Sequence, residues 1–159
     1  MTVIADIIDV IKTRIESVVV GDDFDVAVNR VVLPTQYDIS SLEHADVVVA
    51  SQDPKRNAEL SCPGNPAAIA YDLSVMVAIV IAPSTGDERS FDEIATALGT
   101  ACQKAVATQD SWHEFDGNAI NATIGPLISV KPGAEQQHGI GFELVVTYRV
   151  SENNQNELR

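Results

Sequence analysis

From residue 69 to 81 the chain alternates almost without a break. Ile69, Tyr71, Leu73, Val75, Val77, Ile79 and Ile81 hold the odd positions; Ala70, Asp72, Ser74, Met76 and Ala78 hold the even ones, and only Val80 is out of step. A period of two places one row of large apolar side chains on a single face of a β-strand. At ~3.3 Å per residue this strand runs roughly 40 Å, beyond the usual length of ~3–10 residues, so part of it is expected to reach past its own sheet. A second alternating run, Ile140, Phe142, Leu144, Val146, Tyr148 and Val150, is its natural partner.

Two such apolar rows need a cover, and the sequence offers two helices for it. Residues 3–19 put Ile4, Ile7, Ile8, Ile11, Ile15 and Val18 at helical spacing, with Asp6, Asp9, Thr13, Glu16 and Ser17 on the other side, up to a stop near Gly21. Isoleucine and valine are mediocre helix formers, so burial of the stripe must supply most of its stability. Ser90-Phe91-Asp92-Glu93 has the form of a capping box and opens a second helix to about Thr108, with Phe91, Ile94, Ala95, Leu98, Ala101, Cys102 and Ala105 on its buried face.

The remaining segments fill in one sheet. Phe24, Val26 and Val28, residues 30–33 and residues 46–51 read as strands, and residues 52–66, broken by Pro54, Pro63, Gly64 and Pro66, read as a long loop. Ile120, Ala122, Ile124, Ile128 and Val130 share one phase, and Pro126 among them marks an edge or a bulge. Lys131-Pro132-Gly133 has turn chemistry. The short connections favour antiparallel pairing. The expected fold is α+β: a mainly antiparallel mixed sheet with long central strands and two helices packed on one face.

With 159 residues, 45% of them hydrophobic, the chain fits one domain over residues 1–150 followed by a polar tail at 151–159. Cys62 and Cys102 show no CxxC or Cys/His spacing and read as reduced thiols. The amino end lacks the basic start of a signal peptide, and no apolar run reaches the ~20 residues that span a bilayer. The expectation is a soluble protein made in the cytoplasm, with no membrane partner. A formal charge of −13 argues against a surface that grips phosphates. It remains compatible with an acidic wall past which DNA slides without sticking.

Catalytic patterns are scarce. There is no glycine-rich phosphate loop, GxSxG, HExxH or EF-hand spacing. Asp22, Asp23 and Asp25 lack the later ligands of a calcium loop and read as a solvated turn. The one cluster with chemical potential is Trp112-His113-Glu114-Phe115-Asp116, where a histidine beside two carboxylates could ligate a metal or move protons. The plainer reading tucks Trp112 and Phe115 against the core and leaves the polar residues in water. His44 and His138 read as surface loop residues. No catalytic residue, cofactor or metal site is assigned.

The segment 59–71, Glu-Leu-Ser-Cys-Pro-Gly-Asn-Pro-Ala-Ala-Ile-Ala-Tyr, the long strand after it, Ala82-Pro83-Ser84, the capped helix, Trp112 and the ending Tyr148-Arg149-Val150-Ser151-Glu152-Asn153-Asn154 together resemble small tail-terminator or tail-completion proteins of tailed bacteriophages. That resemblance covers most of the chain. It implies an α+β virion protein of the tail–neck region that forms a ring, usually a hexamer, capping the tail tube and joining it to the neck. The implied partners are further copies of the chain, the tail tube protein and neck or connector proteins, with DNA only passing through. Candidate interface residues are Ile69, Tyr71, Leu73, Val75, Val77, Ile79, Phe142, Leu144, Val146 and Tyr148; candidate docking residues are Pro54, Lys55, Arg56, Pro63 and Asn65, together with the 151–159 tail. Another head–tail connector or head-closure protein is the nearest alternative. From other classes come a small metal-dependent enzyme built on the His113 region and a host-directed binding module.

Overall fold

A computed structural model describes residues 2–34, 42–64, 67–82, 90–108, 110–131, 138–151 and 154–158. Its elements follow in the order α1 (Val3–Glu16), β1 (Arg30–Val32), β2 (Asp46–Ser51), β3 (Lys55–Cys62), β4 (Ala68–Ile81), α2 (Phe91–Val106), a 3-10 turn (Trp112–Glu114), β5 (Asn121–Ile124), β6 (Ile128–Val130), β7 (His138–Ser151) and β8 (Asn154–Leu158). The fold is α+β, with the described strands joined in one mixed sheet.

The two alternating runs form the spine of that sheet. β4 and β7 pair antiparallel along their whole lengths, from Ala68 opposite Ser151 to Ile81 opposite His138. At ~3.3 Å per residue the ladder is roughly 45 Å long. On the β4 side lie β2, with β1 beyond it, and β3; on the β7 side lie β5, β6 and β8.

One face of the spine is the core. Leu73, Val75, Val77 and Ile79 of β4 and Phe142, Leu144 and Val146 of β7 are fully buried, and Tyr148 nearly so, in one cluster with Ile7, Ile11 and Ile15 of α1 and Leu98, Cys102 and Ala105 of α2. Burying a side chain of this size is worth ~1.5–3 kcal/mol, so the packed stripe outweighs the poor helix propensity of the isoleucines in α1. On the other face Val32, Leu42, Val48 and Val80 form a small second cluster. The out-of-step Val80 thus packs against β1 and β2 on the side away from the helices.

The capping box reads through at its first half, since the Ser90 hydroxyl accepts from Glu93 N at 3.3 Å. Thr2 caps α1 in the same way, accepting from Ala5 N at 3.2 Å.

Several expectations change. Residues 24–28 form no strand; the chain turns back on itself, with Val28 N donating to Val18 O, and only Val26 is buried. β1 and β2 run parallel, which the connection over residues 33–45 is long enough to permit. The 52–66 stretch is largely a strand, β3, and the polar tail contains β8, which pairs with β7 at Val150 and Ser151. Neither sequence has the alternation by which a half-buried strand announces itself, and most residues of β3 are exposed. Pro126 separates β5 from β6, both on β7, while Gly125 N still reaches Glu143 O at 2.8 Å. The Lys131-Pro132-Gly133 turn lies mostly outside the described residues.

Candidate assembly surface

The apolar row placed at an interface by sequence is spent within the chain. Leu73, Val75, Val77, Ile79, Phe142, Leu144, Val146 and Tyr148 sit beneath the helices and cannot present side chains to a neighbour; only Ile69 and Tyr71 remain partly exposed. The physical reason is the cover itself: alternation reports a buried face but not whether a helix or another chain buries it. Tyr71 stacks on Tyr148 with ring centroids 5.8 Å apart. Burial and, second, the Tyr71 phenol push the Tyr148 hydroxyl up to about 12.

What the spine does offer is an edge. β3 lies alongside the first residues of β4, with Lys55 opposite Asp72, Arg56 opposite Tyr71 and Asn57 opposite Ala70, before its register shifts ahead of Cys62. Among the described residues its other side pairs with nothing, and most of its residues are exposed. Exposed edge strands are templates for association unless charges blunt them, and Lys55 and Arg56 are such charges.

A polar network fixes this edge in place. Asp72 on β4 accepts from Thr147 Oγ1 at 2.6 Å on one flank and from Asn57 Nδ2 at 3.0 Å on the other, tying β7, β4 and β3 together. Where regular pairing fails, the Ser61 hydroxyl donates to Asn57 O at 2.8 Å and accepts from Ala70 N at 3.0 Å, replacing the missing ladder bond. Arg149 Nε on β7 spans β4 to reach Leu60 O at 2.8 Å. Three side-chain links thus tie the short edge strand to the spine. Of the docking residues foreseen by sequence, Lys55 and Arg56 belong to it, Pro54 and Pro63 flank it, and Asn65 lies outside the described residues.

The second surface feature is a groove of about 640 Å³ along α2, lined by Asp23, Phe24, Asp25, Asp92, Glu93 and Lys104 among others. Lys104 Nζ lies 5.4 Å over the Phe24 ring and donates to Asp23 O, which leaves four carboxylates around a floor of Phe24, Ala97 and Ala101. The aspartates that read as a solvated turn are exposed, and two of them, Asp23 and Asp25, line it.

The His113 region forms the 3-10 turn at Trp112–Glu114 and the residues after it. Phe115, in a left-handed conformation with φ 46°, is wholly buried, and Trp112 packs edge-on to it at 6.3 Å. Arg14 of α1 reaches the same turn, donating to Trp112 O at 2.9 Å and pairing with Asp116 at 3.5 Å. Asp116 is thereby drawn toward Arg14, and among the described residues no three His, Cys, Asp or Glu side chains gather to hold a metal ion. His44 is not a free loop residue: its Nδ1 accepts from Ala82 N at 3.0 Å, and His138 starts β7 with its ring edge-on to Phe91. Cys62 is exposed, whereas burial pushes the Cys102 thiol up to about 12 and leaves it unreactive.

The sequence did not signal Asp46. It is fully buried and accepts from Asn29 Nδ2 at 2.7 Å, from Arg30 Nε and Nη2 at 3.0 Å each, and from Glu43 N at 2.8 Å. The network locks β1 beside β2. No helix is long and apolar enough to cross a membrane among the described residues. No protein-family model and no curated protein sequence matches the chain.

Proposed function

We propose that the chain is a structural virion protein, a tail terminator whose copies close into a ring that caps the tail tube and joins it to the neck. The observation that carries this reading is the division of labour on the spine: its apolar face is consumed by the chain's own helices, while a charged edge strand, paired on one side only among the described residues, lies at one end. Assembly by edges and grooves needs no catalytic geometry. A ring of this kind requires that each subunit offer its neighbour two different surfaces. The β3 edge and the α2 groove are two such surfaces. The resemblance of residues 59–71 and of the Tyr148–Asn154 region points the same way, and the −13 charge suits a wall that lets DNA pass.

Adding purified protein to purified tail tubes and imaging them in negative stain tests the proposal. Density capping one end of the tube, with growth stopped there, is the expected result. Tubes that remain bare and continue to extend at saturating protein would refute it.

A further inference from the structure

The two surfaces differ in sign as well as shape. Lys55 and Arg56 are exposed and make no ion pair with any described residue, in a chain with 10 basic against 23 acidic residues. Arg149 adds a third cation nearby through its bond to Leu60, and Glu59 lies further along the strand. Most other described cations are engaged internally: Lys12 with Glu16, Arg14 with the 3-10 turn, Arg30 with Asp46, Lys104 with Phe24. Apart from the single exposed Lys131, the start of β3 is where the described chain shows positive charge outside these internal contacts, and there two such cations are adjacent. The α2 groove is the converse, with Asp23, Asp25, Asp92 and Glu93 against Lys104 alone.

The groove reaches along α2 from Asp92 and Glu93 at its start to Lys104 in its last turn, where Asp23 is bonded. β3 pairs with β4 as far as Asp72, whereas the start of α2 lies beside His138, which is opposite Ile81. From Asp72 to Ile81 the ladder climbs roughly 30 Å at ~3.3 Å per residue. Among the described residues no ion pair joins the two patches within one copy, whereas two copies in head-to-tail order can bring them together. Contacts between two different patches of one chain are heterologous, and they propagate to a closed ring or an open filament according to the rotation per step.

We infer that Lys55 and Arg56 on the β3 edge of one copy dock into the acidic α2 groove of the next. The inference rests on the self-assembly proposed above and names the contact that would build it. The occupant is a second copy of this chain because the groove's acidic rim complements in sign an exposed basic strand end that the same molecule carries. The cations that discourage an unrelated strand from pairing at β3 are the ones a complementary rim selects.

Charge reversal tests the contact by sedimentation velocity of the full chain. Lys55→Glu with Arg56→Glu, and separately Asp23→Lys with Asp25→Lys, should each weaken self-association roughly ten-fold or more. Combining all four should restore it. Wild-type association should weaken as salt rises from about 0.05 M to 0.5 M. All four positions are exposed, and an unchanged circular dichroism melt verifies that each variant folds. Oligomers indifferent to both reversals would overturn this contact alone. A wild-type chain that stays monomeric throughout would overturn the contact and the self-assembly reading together.

Discussion

Arg14, in the last turn of α1, donates from Nη1 to the carbonyl of Val106, the last residue of α2, at 3.0 Å. The same nitrogen reaches Trp112 O, and the guanidinium lies 5.0 Å over the Phe115 ring. A cation at the carboxyl end of a helix satisfies carbonyls that have no intrahelical donor. With only 11% of its side chain exposed, Arg14 fastens the two helices to the 3-10 turn.

Arg14→Met keeps most of the stem's packing and removes these bonds. Hydrogen bonds to charged groups are worth ~1.5–3 kcal/mol, so a loss of about 2–3 kcal/mol is expected in urea unfolding. Arg14→Lys should recover only part of it, since an ammonium cannot reproduce the planar fork.

Asp46→Asn should be more damaging. It removes the charge that faces Arg30 while keeping the shape, and one of its amide hydrogens would point at donors. Asp46 is fully buried but the Arg30 side chain is 46% exposed, so the ~3–5 kcal/mol of a wholly buried pair is an upper bound here. The measurement is chemical denaturation of the variant, and a loss below about 1 kcal/mol would show that the pair is not what holds β1 to β2.

Gly141 illustrates a backbone contact that no pattern reveals. A Cβ there would sit 2.5 Å from Val77 O, a backbone atom that cannot swing away. Gly141→Ala is expected to cost about 1–3 kcal/mol through forced separation of β4 and β7. A thermal melt reads the loss as a fall in Tm of several degrees, at about 2–4 °C per kcal/mol for a domain of this size.

Much of this architecture was legible in the sequence. The β4 and β7 alternation, the isoleucine stripe of α1 and the Ser90 cap each report a local physical demand, and each stands where its residues placed it. The assembly surface was harder to read. Lys55 and Arg56 stood out in a stretch that looked like loop, because an edge strand paired on one side and exposed on both faces leaves no periodic trace. The row from Leu73 to Ile79 was misassigned to an interface because alternation cannot say what covers it. Asp46 and Arg14 were missed because their partners lie far away in sequence or on backbone atoms.

Tyr148 gives the chain a defined alkaline response. Its folded pKa of about 12 exceeds the ordinary 10.0, so the folded state favours the protonated phenol. Its contribution is complete below pH 10, falls as pH rises and is lost through about 12. Tyr148→Phe should flatten the stability profile in that window, and absorbance titration should lose a phenol that ionises at about 12. An unchanged profile would mean that another group governs the alkaline limit.

Immunogold labelling of intact particles tests the central claim most directly. The tail-terminator reading predicts label at the head-proximal end of the tail, one focus per particle. Particles that carry no label, with the protein free in the lysate, would contradict it.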